Sequence, residues 1–128
     1  MTNRFCFQSS GESKTRIAVY STSGRPIQAV PASTWQLDVD PTGTKVVFLA
    51  EGTPVVKVLD LATAKIATLT RSTQWSWMPI WSPDGASIAW QYKHDTDTDV
   101  MNPDGSSKRR IFQNWDAFVD TYDWRATN

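Results

Sequence analysis

Pro79-Ile80-Trp81-Ser82-Pro83-Asp84-Gly85-Ala86-Ser87-Ile88-Ala89-Trp90 holds a turn between two apolar runs. In Ser82-Pro83-Asp84-Gly85, proline presets φ at the second position, aspartate suits the third, and glycine accepts the left-handed conformation at the fourth. Flanking runs of β-branched and aromatic residues make this a hairpin between short strands. The same turn recurs as Asp40-Pro41-Thr42-Gly43, 42 residues earlier. At that offset Trp35 falls on Trp77, Val39 on Trp81, Phe48 on Trp90, Asp60 on Asn102 and Leu69 on Ile111. A register held over so many positions marks an internal repeat.

The register extends in both directions. Trp81 maps onto Trp124 at an offset of 43, and Ser21-Thr22-Ser23-Gly24 occupies the place of Asp60-Leu61-Ala62-Thr63 and Asn102-Pro103-Asp104-Gly105. Three units of about 42 residues account for nearly all of the 128 residues. Each unit reads as four short strands, a to d. In the third unit they fall at about 77–82, 87–92, 97–101 and 108–112. Strand b is apolar on both faces: Val46, Val47, Phe48 and Leu49 in the second unit, Ile88, Ala89 and Trp90 in the third. Such a strand needs a sheet packed above it and another below. Repeated four-stranded antiparallel sheets stacked around an axis make a β-propeller. The expected class is therefore all-β, with three blades per chain. Blade 1 spans about 1–31 and is completed by a strand at about 119–125; blade 2 spans about 35–70 and blade 3 about 77–113.

The third unit resembles the repeat of TolB-like (WD-repeat-like) propellers, through residues 79–90 and through Asp99-Val100-Met101-Asn102-Pro103-Asp104-Gly105-Ser106-Ser107-Lys108-Arg109-Arg110-Ile111. The second unit departs from it, with Val39-Asp40-Pro41-Thr42-Gly43 in place of Trp-Ser-Pro-Asp-Gly, and the first is recognisable by register alone. The resemblance implies a ring of about six blades used as a binding scaffold and implies no particular ligand.

The phase of the strands bears on assembly. Residues 5–7 read as strand b, 16–20 as strand c and 27–30 as strand d; two full units follow, then 119–125 as a strand a. Three blades alone would leave end faces on the order of 500 Å² each, more than monomers usually expose. At ~25 cal/mol per Å², each face is worth roughly 12 kcal/mol before association costs. The expectation is a homodimer with two-fold symmetry, closing a six-bladed ring in which each chain's strand 119–125 pairs with the first blade of the other.

Composition narrows the function classes. Lys plus Arg and Asp plus Glu are each 13, for a formal net charge of zero, and the longest basic run is Lys108-Arg109-Arg110. Phosphate-gripping proteins carry a basic excess or face, so no nucleic-acid partner is expected. No stretch approaches the ~18 apolar residues of a membrane span, and no signal-peptide run is seen. The expected compartment is cytoplasmic by default, or periplasmic or extracellular if a leader has been removed. Cys6 is the single cysteine and His94 the single histidine, so neither an intrachain disulfide nor a multi-His/Cys metal site can be built, and no cofactor is expected.

Propellers use the channel and the loops where strand a begins. The connections at 31–34, 71–75 and 114–118 lead there, and the candidate ligand- or partner-binding residues are Trp35, Gln36, Trp75, Trp77, Met78, Trp115 and Asp120. Loop tryptophans suit an aromatic-lined surface for a peptide, a small ligand or a sugar ring, and also suit the plainer task of capping sheet ends. Asp95-Thr96-Asp97-Thr98-Asp99 resembles the start of a calcium loop, but Val100 and Ser106 stand where such a loop needs Gly and Glu, and polar residues are expected at a b-to-c turn. Asp38 and Asp40 share one face beside a turn and are expected to cap it. No nucleophile elbow accompanies His94. Basic residues on outer strand d are expected to protect a sheet edge. The reading is a non-enzymatic scaffold for protein or ligand binding. Alternatives are a sugar-binding module using the loop tryptophans, and a propeller fragment of a larger hydrolase.

Overall fold

The computed structural model describes residues 4–10, 15–32, 34, 36–71, 75–92, 97–113 and 124–125. They form β1 (Arg4–Ser10), β2 (Thr15–Ser21), β3 (Pro26–Val30), β4 (Leu37–Val39), β5 (Lys45–Leu49), β6 (Val56–Asp60), β7 (Ile66–Thr68), β8 (Ser76–Trp81), β9 (Ile88–Tyr92), β10 (Asp97–Met101) and β11 (Arg109–Gln113). The described strands build three antiparallel sheets ordered β1-β2-β3, β4-β5-β6-β7 and β8-β9-β10-β11. The class is all-β, with the four-stranded meander blade of a propeller in the second and third sheets. In the first sheet, β1 pairs with β2 in unbroken register from Arg4↔Ser21 to Ser10↔Thr15, and no described strand lies on its other side.

The repeated turn closes as its chemistry requires. The Gly85 amide donates to the Ser82 carbonyl at 2.9 Å, and Gly85 sits at φ +71°. Ser82 Oγ donates to Asp84 at 2.6 Å and accepts the Ser87 amide at 3.0 Å. The divergent second copy keeps this function by moving the carboxylate to the first position. Asp40 Oδ1 accepts the amides of Thr44 (2.8 Å) and Lys45 (2.9 Å), while Thr42 Oγ1 donates to Oδ2 at 2.6 Å. One aspartate thus does the work shared by Ser82 and Asp84, which explains how Asp-Pro-Thr-Gly replaces Ser-Pro-Asp-Gly.

One turn departs from the sequence alignment. Thr63 aligns with Gly105, but the left-handed residue is Ala64, at φ +59°, whose amide donates to the Asp60 carbonyl at 2.8 Å. The second c-to-d turn is therefore one residue longer than its counterparts. A left-handed L-residue costs roughly 1–2 kcal/mol, and glycine returns part of that as unfolded-chain entropy. Ala64 is exposed, so Ala64→Gly is expected to stabilise by about 0.5–1 kcal/mol, read as a raised urea midpoint at unchanged slope. An unchanged or lowered midpoint would show that the turn carries no such strain.

The core lies between the sheets. β5 points Val46 and Phe48 at the first sheet, where they meet Ile17, Val19, Val30 and Ala32. Its alternate residue Val47 faces the third sheet, joining Val56, Val58, Trp81, Ile88, Trp90 and Met101. Period-2 alternation with both phases apolar is what a middle blade requires. On the far face of the third sheet, Ala89, Gln91, Thr98 and Val100 are also buried, each at 7% exposure or less within the single chain. The expectation of an open apolar face at that end is thereby corrected.

Candidate functional site

The inner strands of the second and third sheets are locked by two side chains. Just after β8 the Ser82 amide turns to Ser87, so the preceding amide, Trp81 N–H, points away from the sheet, as alternate amides of an edge strand do. Asp38 Oδ2, from β4, accepts it at 2.7 Å. Two residues earlier, just before β4, Gln36 Oε1 accepts the Met78 amide at 2.7 Å. Met78 stands at φ +49° where the β8–β9 register shifts between Trp77 and Ile80. The irregularity aims the Met78 amide at the neighbouring blade instead of at β9. Gln36 and Met78, both candidates from the sequence, are thus brought into direct contact. Asp38 was assigned to capping its own turn; Asp40 does that, and Asp38 holds the next blade.

The second candidate region lies at the opposite end of the sheets from the Ser-Pro-Asp-Gly turns. The β5–β6 loop and the connection into β8 enclose a cavity of about 420 Å³, lined by Leu49, Glu51, Pro54, Trp75, Ser76 and Trp77 among others. The Ser76 amide donates to the Pro54 carbonyl at 3.2 Å, and Ser76 Oγ lies 3.2 Å from Thr70 Oγ1, so the wall is tied to both segments. Trp75 is 61% exposed, whereas Trp77 is half-buried at the start of β8. Trp75 and Trp77 therefore share one cavity. Glu51 and Pro54 carry no signal in the sequence, and Leu49 reads there only as part of apolar strand b. The signal was topological: in an up-and-down blade the b-to-c loop and the d-to-a connection come to the same end. Trp35, Trp115 and Asp120 lie outside the described residues, as does His94.

A smaller cavity of about 190 Å³ lies between the turn ends of the same two sheets, lined by Asp38, Val39, Pro41, Ile80, Trp81 and Trp124 among others. Of the expected closing strand at 119–125, residues 124 and 125 are described, and they carry no strand pairing; the rest lies outside the described residues.

Electrostatics here are mainly those of turns. Burial of the Asp40 carboxylate works against its charge, but hydrogen bonds from Thr42, Lys45 and Thr44 outweigh that and hold its pKa below the ordinary value. Ser82 and the Ala86 amide lower Asp84, and Ser106 lowers Asp104. In the acidic stretch, Asp97 and Asp99 belong to strand β10 and not to a turn, and both pair with Arg110 of outer strand β11, at 2.9 and 2.8 Å. Among the described residues no group of three or more His, Cys, Asp or Glu is placed to hold a metal ion. No helix among them is long and apolar enough to cross a membrane.

Sheet order, turn chemistry and the stacking of sheets through β5 together define a β-propeller segment. The fold is that of TolB-like propellers. A structure described as TolB from Agrobacterium tumefaciens superposes with a TM-score of 0.68 at 19% identity, over 87% of this chain and 43% of that one. TolB from Acinetobacter baumannii matches at 0.62 and 16%, over 84% of this chain and 30% of that one. The tricorn protease matches at 0.66 and 16%, over 84% of this chain and 12% of that one. This chain thus spans less than half the length of each. Neither a family model nor a curated protein matches the sequence.

Proposed function

We propose that the chain is a non-enzymatic propeller scaffold that pairs with a second copy of itself and binds a ligand at the Trp75–Trp77 cavity. The observation supporting the pairing is the first sheet: it has three described strands where the others have four, and the inner edge of β1 faces no described strand. An inner edge of seven residues that no described strand pairs is a template for an added strand. In the proposed assembly, residues 119–125 of one chain add to β1 of the other, giving six blades in a closed, isologous ring. In such a ring each interface joins the first sheet of one chain to the third sheet of the other, so the far face of the third sheet, buried within the single chain, must open to receive the partner.

Native mass at several micromolar concentrations tests this. A dimer is expected, and deletion of residues 119–128 is expected to abolish it. A well-folded monomer, or a truncated chain that still dimerises, would overturn the strand-exchange ring.

A further inference from the structure

Resting on the proposal that the Trp75–Trp77 cavity is a ligand site, we infer that its ligand is an organic cation of the quaternary-ammonium or alkylated-amine kind. Two indoles, of Trp75 and Trp77, contribute to the lining, and the one carboxylate among the described lining residues belongs to Glu51. Indole faces attract cations through their quadrupole, and a carboxylate adds Coulomb attraction of the same sign. No lysine, arginine or histidine is among the described lining residues; Arg71, on the same connection, lies outside the set. The formal charge of the described lining is therefore negative, and a cation is the complementary guest.

The remaining wall selects among cations and against sugars. Leu49, Ala50 and Pro54 are apolar and offer nothing to a strongly hydrated inorganic ion, whose desolvation they would leave uncompensated. A weakly hydrated cation with methyl groups on nitrogen gains from both apolar wall and indoles. A sugar needs several aimed hydrogen-bonding side chains. The polar ones here are Glu51, Thr53 and Ser76, and Ser76 is 1% exposed with its hydroxyl engaged by Thr70. The volume, about 420 Å³, falls in the range of small-molecule sites and holds a choline-sized group with room for a substituent.

Calorimetric titration with choline, with its uncharged carbon isostere 3,3-dimethylbutan-1-ol and with N-acetylglucosamine tests the inference on the full chain. Saturable choline binding is expected, with the isostere weaker by about 3- to 10-fold. Glu51→Gln is expected to weaken choline by a similar factor and to leave the isostere unchanged. Trp75→Ala, at an exposed position that leaves the core intact, is expected to lose both. Equal binding of choline and isostere would keep the ligand site and overturn the cation. Tighter binding of N-acetylglucosamine than of choline would overturn it in favour of a sugar. Absence of binding by all three, or choline binding that survives Trp75→Ala, would overturn the site itself.

Discussion

Phe48→Ala is expected to destabilise the protein by about 3–5 kcal/mol, the range for an aromatic side chain deleted from a closed core. Phe48 is 2% exposed and packs with Val46, Leu59 and Leu61 of its own sheet against Ile17, Val19, Val30 and Ala32 of the first. Its removal leaves a cavity at the seam between two blades, where neither backbone can close inward without breaking a ladder. The loss is a large fraction of a small domain's total stability, about 5–15 kcal/mol. With an m-value of about 2 kcal/mol per M, the urea midpoint should fall by roughly 2 M at fixed protein concentration. Phe48→Leu refills most of the space and should cost under about 1.5 kcal/mol. If both variants lose less than about 1 kcal/mol, the first and second sheets do not share this core.

The second large effect is expected at Asp38. Asp38→Ala removes the acceptor of the Trp81 amide, a 2.7 Å charge-assisted bond, and leaves that N–H facing a half-buried seam. Hydrogen bonds to charged groups contribute about 1.5–3 kcal/mol, much of it the penalty of the orphaned partner. Asp38→Asn keeps an oxygen in place and should cost about half as much. Because the bond joins sheets and not strands of one sheet, the loss should appear locally. Hydrogen exchange at the Trp81 amide should accelerate by roughly 10- to 150-fold, while the amides of β6 change little. Acceleration spread evenly over both sheets would mean that Asp38 supports the fold in general and does not lock the blades. Gln36 is the milder partner of the pair, since its bond to the Met78 amide is between neutral groups.

Much of this architecture is legible in adjacent residues. Positions 97–101 match β10 residue for residue; the expected strand at 87–92 differs from β9 by one residue at its start, and those at 77–82 and 108–112 are each shifted by one residue from β8 and β11. They are readable because turn chemistry and period-2 alternation are local: Pro83, Asp84 and Gly85 stop a strand whatever surrounds them. The misreadings have local causes as well. The extra residue in the Asp60–Lys65 turn is hidden because Ala64 does not look like a left-handed residue, and only its φ of +59° reveals it. Asp97 and Asp99 look like turn residues by composition; that they stay in β10, as the expected strand at 97–101 has it, is explained by Arg110 on the neighbouring strand, which neutralises them.

Period, turn positions and the two-sided apolar strand β5 are properties of neighbouring residues, and they specify repeated sheets that must stack. Partnerships across the stack are of another kind. Gln36 reaches Met78 and Asp38 reaches Trp81 across 42 and 43 residues. That one-repeat spacing carries no sign of which aspartate, Asp38 or Asp40, turns to its own hairpin and which to the next blade. The choice depends on which amides the β8 irregularity leaves facing outward, a matter of hydrogen-bond geometry between sheets. Likewise Glu51 and Trp75, far apart in a loop and a connection, share one cavity because the sheets set both at the same end. An alternating pattern records which face a residue takes; only stacking decides what that face meets.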